Sequence, residues 1–304
     1  MRKFLGLALF LVFGLFLMAG CSSDDSTAPP PAARIPVVAQ ITDNGNFESN
    51  PNISPDGQWV LFESDVAGNM DIYRIPVEGG TAEPLTTDPA FDSAAEWSPD
   101  GSFIVFESER SGVKDIYVLD LSNPGSEPVA LTSSVANDGS PNWSPNNDFI
   151  VFESNRDKPG GSDIWLVSVA GGEPQRLTTT ENGIYNRTPN WSPDGTRVAF
   201  ESNRDGYSAI YTVNNMGLGL IQVTPYGAYS GHPDWSPDGE EIAYESTRTG
   251  LSEIFVIAAD GSGEPFQVTT SGGFWPAWSP DGTRIYYGNF GSSDANLWVV
   301  NVDW

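Results

Sequence analysis

Trp97-Ser98-Pro99-Asp100-Gly101-Ser102-Phe103-Ile104-Val105-Phe106-Glu107-Ser108 decides the fold, because the chain repeats this phrase, with small variations, six times. The serine after the tryptophan or its equivalent falls at Ser54, Ser98, Ser144, Ser192, Ser236 and Ser279, spacings of 44, 46, 48, 44 and 43 residues. That period is too long for a leucine-rich or helical-pair repeat and right for a four-stranded propeller blade. Six such units account for residues 35–304 and predict an all-β, six-bladed β-propeller with no second folded domain.

Outward from the motif, each unit reads as four short strands of period two. In the second copy the spacing predicts strand a over 94–98, b over 103–108, c over 115–121 and d over 129–132. Pro-Asp-Gly joins a to b: Pro presets φ, and Asp and Gly tolerate the conformations that follow. The third copy uses Asn146-Asn147, and Asn also tolerates left-handed geometry. In the last copy, strands a, b and c fall at 275–279, 284–288 and 296–302, and the sequence stops at Trp304 without a Leu-Thr strand. Its counterpart is Val37-Val38-Ala39-Gln40-Ile41-Thr42: Ile41 precedes Ile53 by the 12 residues that separate Leu85 from Trp97. The N-terminal strand is therefore expected to pair into the last blade, closing the ring and removing long exposed edges.

Residues 1–20 read as a targeting segment, with Arg2 and Lys3 ahead of an apolar run over 4–17 and small residues before Cys21. Met18-Ala19-Gly20-Cys21 resembles the bacterial lipobox, which implies lipidation at Cys21; an uncleaved membrane helix and an ordinary signal peptide are the alternatives. Residues 21–36, rich in Ser, Asp, Ala and Pro, read as a tether, with the propeller over 37–304. Ser22 fits an outer-membrane address of the enterobacterial type, whereas Asp24-Asp25 fits a surface-export cue, so the side of the membrane stays open. Cys21 is the only cysteine, and no internal disulfide can form.

Without the leader, 12 basic residues face 40 acidic ones. A net charge of −28 speaks against nucleic acid and anionic headgroups as partners. High-salt adaptation and a cation-binding surface are both open readings of it.

Three recurring phrases, Trp97-Ser98-Pro99-Asp100-Gly101, Phe106-Glu107-Ser108-Glu109-Arg110-Ser111-Gly112 and Asp115-Ile116-Tyr117, resemble those of the TolB-type, WD-like propeller family over residues 37–304. The resemblance implies the fold, and it makes a part in the Tol-Pal envelope system conceivable without implying it, since the α/β domain of TolB itself has no counterpart here. Prolyl oligopeptidases pair a similar propeller with a hydrolase domain, but no Gly-x-Ser-x-Gly elbow occurs. Propellers host many activities, so fold does not settle function.

Chemistry is restricted by composition. With one histidine, His232, and no cysteine after Cys21, a His/Cys zinc site, a Cys-His pair and a multi-His metal site are excluded. His232 itself sits on a loop and reads as a contact residue rather than a base. A glutamate ends strand b in five copies (Glu63, Glu107, Glu153, Glu201 and Glu245), with Gly288 breaking the row, and Arg110, Arg156, Arg204 and Arg248 follow three residues after four of them. The regular reading is a repeated ion pair or turn hydrogen bond. Blade one has Val66 where Arg is expected, which leaves Glu63 and Asp65 as candidate ligands for calcium, an oxygen-seeking cation. No other cofactor is called for.

Aromatics recur six residues before the strand-a tryptophan: Phe47, Phe91, Tyr185 and Tyr229, with Asn137 in blade three and Phe274-Trp275 in the last. With His232 they are candidate contacts on the face carrying the b–c and d–a loops; packing between blades is the alternative role. Trp97, Trp143, Trp191, Trp235, Trp278 and Ile53 read as blade-to-blade core. These readings predict a monomeric, non-enzymatic envelope lipoprotein, membrane-associated through its lipid alone, that binds an envelope protein or peptide. A carboxylate-dependent sugar- or peptide-processing enzyme at the propeller mouth is the alternative, and a structural part of a larger complex a third.

Overall fold

A computed structural model describes residues 38–290 and 294–302. The leader, Cys21 and the tether lie outside the described residues.

The short, alternating strands and their turns produce six four-stranded antiparallel sheets, and every described element is a strand. In blade two, strands a to d run Asp92–Trp97, Phe103–Ser108, Asp115–Asp120 and Val129–Ala130, hydrogen-bonded in that order. Strand b matches the span read from sequence; strand d is shorter because only two residues there keep ladder register. The Ser98 hydroxyl explains the motif between a and b. It donates to Asp100 Oδ1 at 2.7 Å and accepts the Phe103 N–H at 3.0 Å, while Gly101 turns the chain at φ +71°.

Ring closure occurs as the last blade's missing strand predicts. Val38–Gln40 pairs antiparallel with Ala295–Asn301, Val38 opposite Val300 and Gln40 opposite Trp298. Ile41 N–H donates to the Leu297 carbonyl at 2.8 Å, extending the seal.

Packing follows from alternation, since each sheet buries both faces against its neighbours. Six apolar clusters result, each straddling a seam. Between blades one and two, Leu61 and Ile72 meet Trp97, Ile104, Phe106 and Tyr117. The repeated position is core as expected, Ile53 and the five tryptophans all being buried.

Candidate functional site at the propeller channel

Every innermost strand carries a β-bulge. Between Ser49/Asn52, Ser93/Glu96, Gly139/Asn142, Arg187/Asn190, Gly231/Asp234 and Phe274/Ala277, two residues of strand a oppose one of strand b. The first of each pair, Asn50, Ala94, Ser140, Thr188, His232 or Trp275, is a non-glycine residue at φ between +46° and +53°. Such a conformation costs on the order of 1 kcal/mol or more and persists only where the surroundings fix it. Proline follows in five of the six, and alanine in blade two. The bulge turns these six side chains and the residues after them toward the axis, where they line a cavity of about 270 Å³.

Four of the five glutamates ending strand b hold the bulges, while Glu201 accepts from the Ser208 and Tyr229 hydroxyls. Glu63 Oε1 accepts the N–H of Ala94 in the next blade at 2.8 Å, Glu107 Oε2 that of Ser140 at 3.0 Å and Glu245 Oε2 that of Trp275 at 3.3 Å; Glu153 serves Thr188 likewise. The repeated group is thus an inter-blade cap on a strained backbone. Gly288 breaks the row because the Phe274 ring fills the space: a Cβ there would stand 2.4 Å from Phe274 Cε2.

A second polar ring lies two residues further along strand a, at Asn52, Glu96, Asn142, Asn190 and Asp234, with Ala277 completing the circuit. Asn52 Oδ1 accepts the Trp97 N–H at 3.2 Å, Asn142 Oδ1 that of Trp191 at 2.7 Å and Asp234 Oδ2 that of Trp278 at 2.7 Å. Glu96 Oε1 receives Nδ2 of Asn52 and of Asn142, at 3.1 and 2.7 Å. Burial pushes the Glu96 carboxyl up to about 8, the charge of Asp234 adding to the shift, and burial takes Asp234 to about 7. Glu153 in the outer ring rises to about 7, from burial and then from Glu107. Near neutral pH the channel therefore carries fewer charges than its composition suggests.

His232 and Trp275 are the two large side chains in the bulge ring. The Trp275 Nε1–H donates to His232 Nε2 at 2.8 Å, and His232 Nδ1 stands 3.2 Å from Glu245 Oε1. Burial opposes protonation of His232, but the hydrogen bond and charge of Glu245 outweigh it and raise the pKa above its ordinary value.

The structure divides the predicted contact residues. Phe47 meets Trp275 edge-on at 6.5 Å and Phe290 at 6.0 Å, so Phe47, Trp275 and His232 form one aromatic sector where blades five, six and one meet. Tyr229 is half-buried, its hydroxyl 3.3 Å from Glu201 Oε2. Tyr185 lies under the Arg187 guanidinium, 4.1 Å from the ring centre. Phe91 is half-exposed and stands apart from the sector. Phe274 is 5% exposed and packs on Phe290 with centroids 4.3 Å apart; it supports the sector from beneath and is not available as a contact.

The arginines pair differently from the sequence reading. Arg110 Nη2 reaches Asp92 Oδ2 at 2.8 Å and Arg156 Nη2 reaches Asp138 Oδ2 at 2.5 Å, both carboxylates fully buried. Arg204 donates to Asn186 at 3.0 Å. Successive strand residues point to opposite faces, so these arginines follow the serine of Phe-Glu-Ser away from the glutamate. The candidate calcium pair, Glu63 and Asp65, is engaged by hydrogen bonds of the fold. Glu63 spends its oxygens on Ala94 N–H, Asn50 and Ser49, and Asp65 accepts the Phe47 N–H at 2.9 Å. Among the described residues, no three acidic, imidazole or thiol groups converge as a ready metal cage.

The bulges and the inner polar ring were not anticipated from sequence. A signal existed: proline inside an apparent strand marks a bulge or an edge, and Pro51, Pro141, Pro189, Pro233 and Pro276 stand at one repeated position.

Six blades around a polar channel define a β-propeller. Residues 88–190 and 180–275 match the TolB beta propeller domain, together more than half of the chain, and the protein belongs to that family. An uncharacterized protein of Agrobacterium fabrum (strain C58) is 36% identical over 50 residues, a match spanning 16% of this chain and 17% of that relative. Among solved structures, a TolB candidate from Agrobacterium tumefaciens superposes with a TM-score of 0.70 at 23% identity, covering 88% of this chain and 97% of that one. TolB from Acinetobacter baumannii gives 0.66 at 17% identity, over 84% of this chain and 63% of its own length. An oligogalacturonate lyase from Vibrio parahaemolyticus gives 0.62 at 14%, over 88% and 93%. At these identities the structural likenesses concern the fold.

Proposed function

We propose that this protein is a non-enzymatic, lipid-anchored envelope protein that holds a protruding segment of a protein or peptide at the channel mouth. The observation that carries the reading is the asymmetry of the bulge ring. Blades one to four present Asn50, Ala94, Ser140 and Thr188, whereas blades five and six present His232 and Trp275, so an apolar wall faces small and polar groups across the opening. Amphipathic aromatics beside hydrogen-bonding groups are what contact sites for protein segments use. The cavity of about 270 Å³ falls just below the roughly 300–1,000 Å³ of small-molecule sites, and suits a side chain or two from a larger partner. Envelope attachment rests on the lipobox-like Met18-Ala19-Gly20-Cys21 and on the TolB-type family.

A second reading draws on Glu96 and Asp234, buried carboxyls with raised pKa values in one cavity, a common mark of acid–base chemistry. It would make the protein a sugar- or peptide-processing enzyme. Their commitment to Trp143 and Trp278 N–H groups and to asparagine side chains favours a structural role instead.

The test is affinity capture from native envelope extract with the full chain in detergent, beside Trp275→Ala and Phe47→Ala. A partner kept by the parent and lost by both folded variants supports binding at the mouth. Turnover of an oligosaccharide or peptide abolished by Glu96→Gln and kept by Trp275→Ala would replace it with the second reading. Replacing Cys21 with Ser is expected to release the protein from membranes.

A further inference from the structure

Blade one differs from blades two, three and four at the start of strand a, in a way the repeat makes legible. In blades two and three a buried acid at the start of strand a is neutralised by the arginine two residues beyond strand b. Arg110 reaches Asp92, bonds the Ser108 hydroxyl at 2.8 Å through Nε and lies 4.8 Å from the Tyr117 ring centre; Arg156 does the same with Asp138, Ser154 and Trp165. In blade four the acid has become Asn186, and Arg204 still spans it and Ser202. Blade one keeps the acid as Glu48, opposite Ser64 in register, and keeps the ring as Tyr73, but Val66 stands in place of the arginine.

Glu48 is 1% exposed. Asn44 Nδ2 donates to its Oε1 at 2.5 Å and Thr42 bonds the same carboxylate, while Oε2 has no partner. Asn296, 5% exposed, occupies the strand-c position held by Asp71, Asp115 and Asp163 in blades one to three, and its Oδ1 is also without a partner. The Phe47–Ala295 bridge sets Glu48 beside Asn296, and Thr42, which bonds Glu48, also accepts the Leu297 N–H at 3.0 Å. Asp65 and Asp294 are near enough for their charges to act on Glu48. Two buried oxygens, one carboxylate and one amide, are thus orphaned beside further carboxylates, and among the described residues no basic side chain pairs with Glu48. A buried charge left so is costly unless a cation meets it.

We propose that a calcium ion occupies this seam, bound by Glu48, the Asn296 amide oxygen and Asp294. Carboxylate, amide and hydroxyl oxygens with no nitrogen or sulfur are a hard-cation set, and a mixed, partly flexible shell suits calcium better than magnesium, which demands near-octahedral geometry. The ion meets the charge of Glu48 as arginine meets Asp92 and Asp138 within their own blades, and in addition it ties the start of strand a in blade one to strand c of blade six, where the N-terminal strand closes the ring. With two carboxylates and one amide in the shell, the dissociation constant is expected at about 10⁻⁴–10⁻³ M, the range of weak calcium modules.

The experiment compares thermal unfolding of the full chain, in detergent, in EDTA, 10 mM CaCl₂ and 10 mM MgCl₂, for the parent, Glu48→Gln and Val66→Arg, with calcium titration by calorimetry on each. The parent is expected to gain several degrees in calcium and less in magnesium, and to bind one calcium at this seam. Glu48→Gln should lose the response while unfolding at or above the parent's temperature in EDTA, because an unpaired buried charge is gone. Val66→Arg should lose it for the opposite reason, its guanidinium filling the place of the ion. A parent indifferent to calcium overturns the proposal, as does a calcium response that both variants retain.

Discussion

The indole N–H of Trp275 points at Nε2 of His232 across 2.8 Å, and that one contact fixes which nitrogen of the imidazole carries the proton. With Nε2 accepting, Nδ1 holds the hydrogen, and Glu245 Oε1 stands 3.2 Å from it. Protonation of Nε2 turns the acceptor into a donor, so the charged imidazole keeps Glu245 and releases Trp275. Glu245, Glu201 and Glu153 surround the ring with negative charge, and together they overcome its burial to raise the pKa. Because the folded-state pKa lies above the unfolded value near 6.5, His232 contributes stability that is fully present below that pH and is lost as pH rises through the folded pKa. The stability difference between the parent and His232→Gln should therefore be largest in mild acid and shrink in alkali, and the parent's tryptophan emission should change over the same interval while that of His232→Gln stays flat. An identical pH profile for both proteins would refute it.

Glu63 tests the meaning of the strand-b glutamates. Its Oε1 receives both the Ala94 N–H of the next blade and Asn50 Nδ2 of its own. Truncation to alanine leaves a bulge N–H without an acceptor, at a cost of about 1–3 kcal/mol, or roughly 2–4 °C of Tm per kcal/mol for a chain of this size. Glutamine keeps the acceptor and removes a charge whose pKa burial has raised. The raised folded pKa means the parent loses stability as pH climbs from the unfolded value of about 4.5 through the folded one. Glu63→Gln should then equal the parent near pH 4 and exceed it near pH 7. If alanine and glutamine behaved alike, the cap would have no energetic content.

Much of this fold is readable because the repeat states it six times. Strand b of blade two, the tryptophan seam positions and the closing role of Val38–Gln40 all follow from period and alternation. The site is less legible for a physical reason: a bulge shifts register by one residue, and one residue reverses the face on which every later side chain falls. Asn52, Glu96 and Asp234 look like solvent-side polar positions until Pro51 and Pro233 are taken as bulge marks. The arginines mislead similarly. Glu107 and Arg110 are three apart in sequence, yet the alternation that points Glu107 into the channel sends Arg110 with Ser108 to Asp92. Val66 breaks the arginine row in blade one, and the acid at the position that arginine meets in blades two and three is Glu48, 18 residues earlier and paired in register with Ser64.

Gly288 is where the glutamate row had to stop. Any side chain there meets the Phe274 ring, whose Cε2 would lie 2.4 Å from a new Cβ, and Phe274 in turn carries Trp275 and Phe290. Gly288→Ala is expected to destabilise by about 1–3 kcal/mol through overpacking. Pairing it with Phe274→Leu should recover part of that loss, so the two changes together cost less than the sum of each alone. Additive losses in a double-mutant cycle would show that the ring is free to move aside.

Closure of the ring depends on three residues of strand and one bonded extension. Val38, Ala39 and Gln40 pair with Val300, Val299 and Trp298, the Ile41 N–H bonds the Leu297 carbonyl, and Thr42 receives the Leu297 N–H. Val38–Gln40 is itself exposed, so the segment contributes less through burial than through satisfying the outward edge of Ala295–Asn301 and fixing the lead into blade one. Deleting residues 35–42 leaves that strand with a row of unpaired backbone groups, the feature that templates association between sheets. It also removes Thr42 from beneath Glu48. The deletion should unfold at a markedly lower temperature and elute as a dimer or larger species whose proportion rises with concentration, measured by light scattering behind size-exclusion chromatography. A monomer with the parent's stability would mean that five four-stranded blades and one three-stranded blade close without the N-terminal strand, and that its pairing is a consequence of the ring and no cause of it.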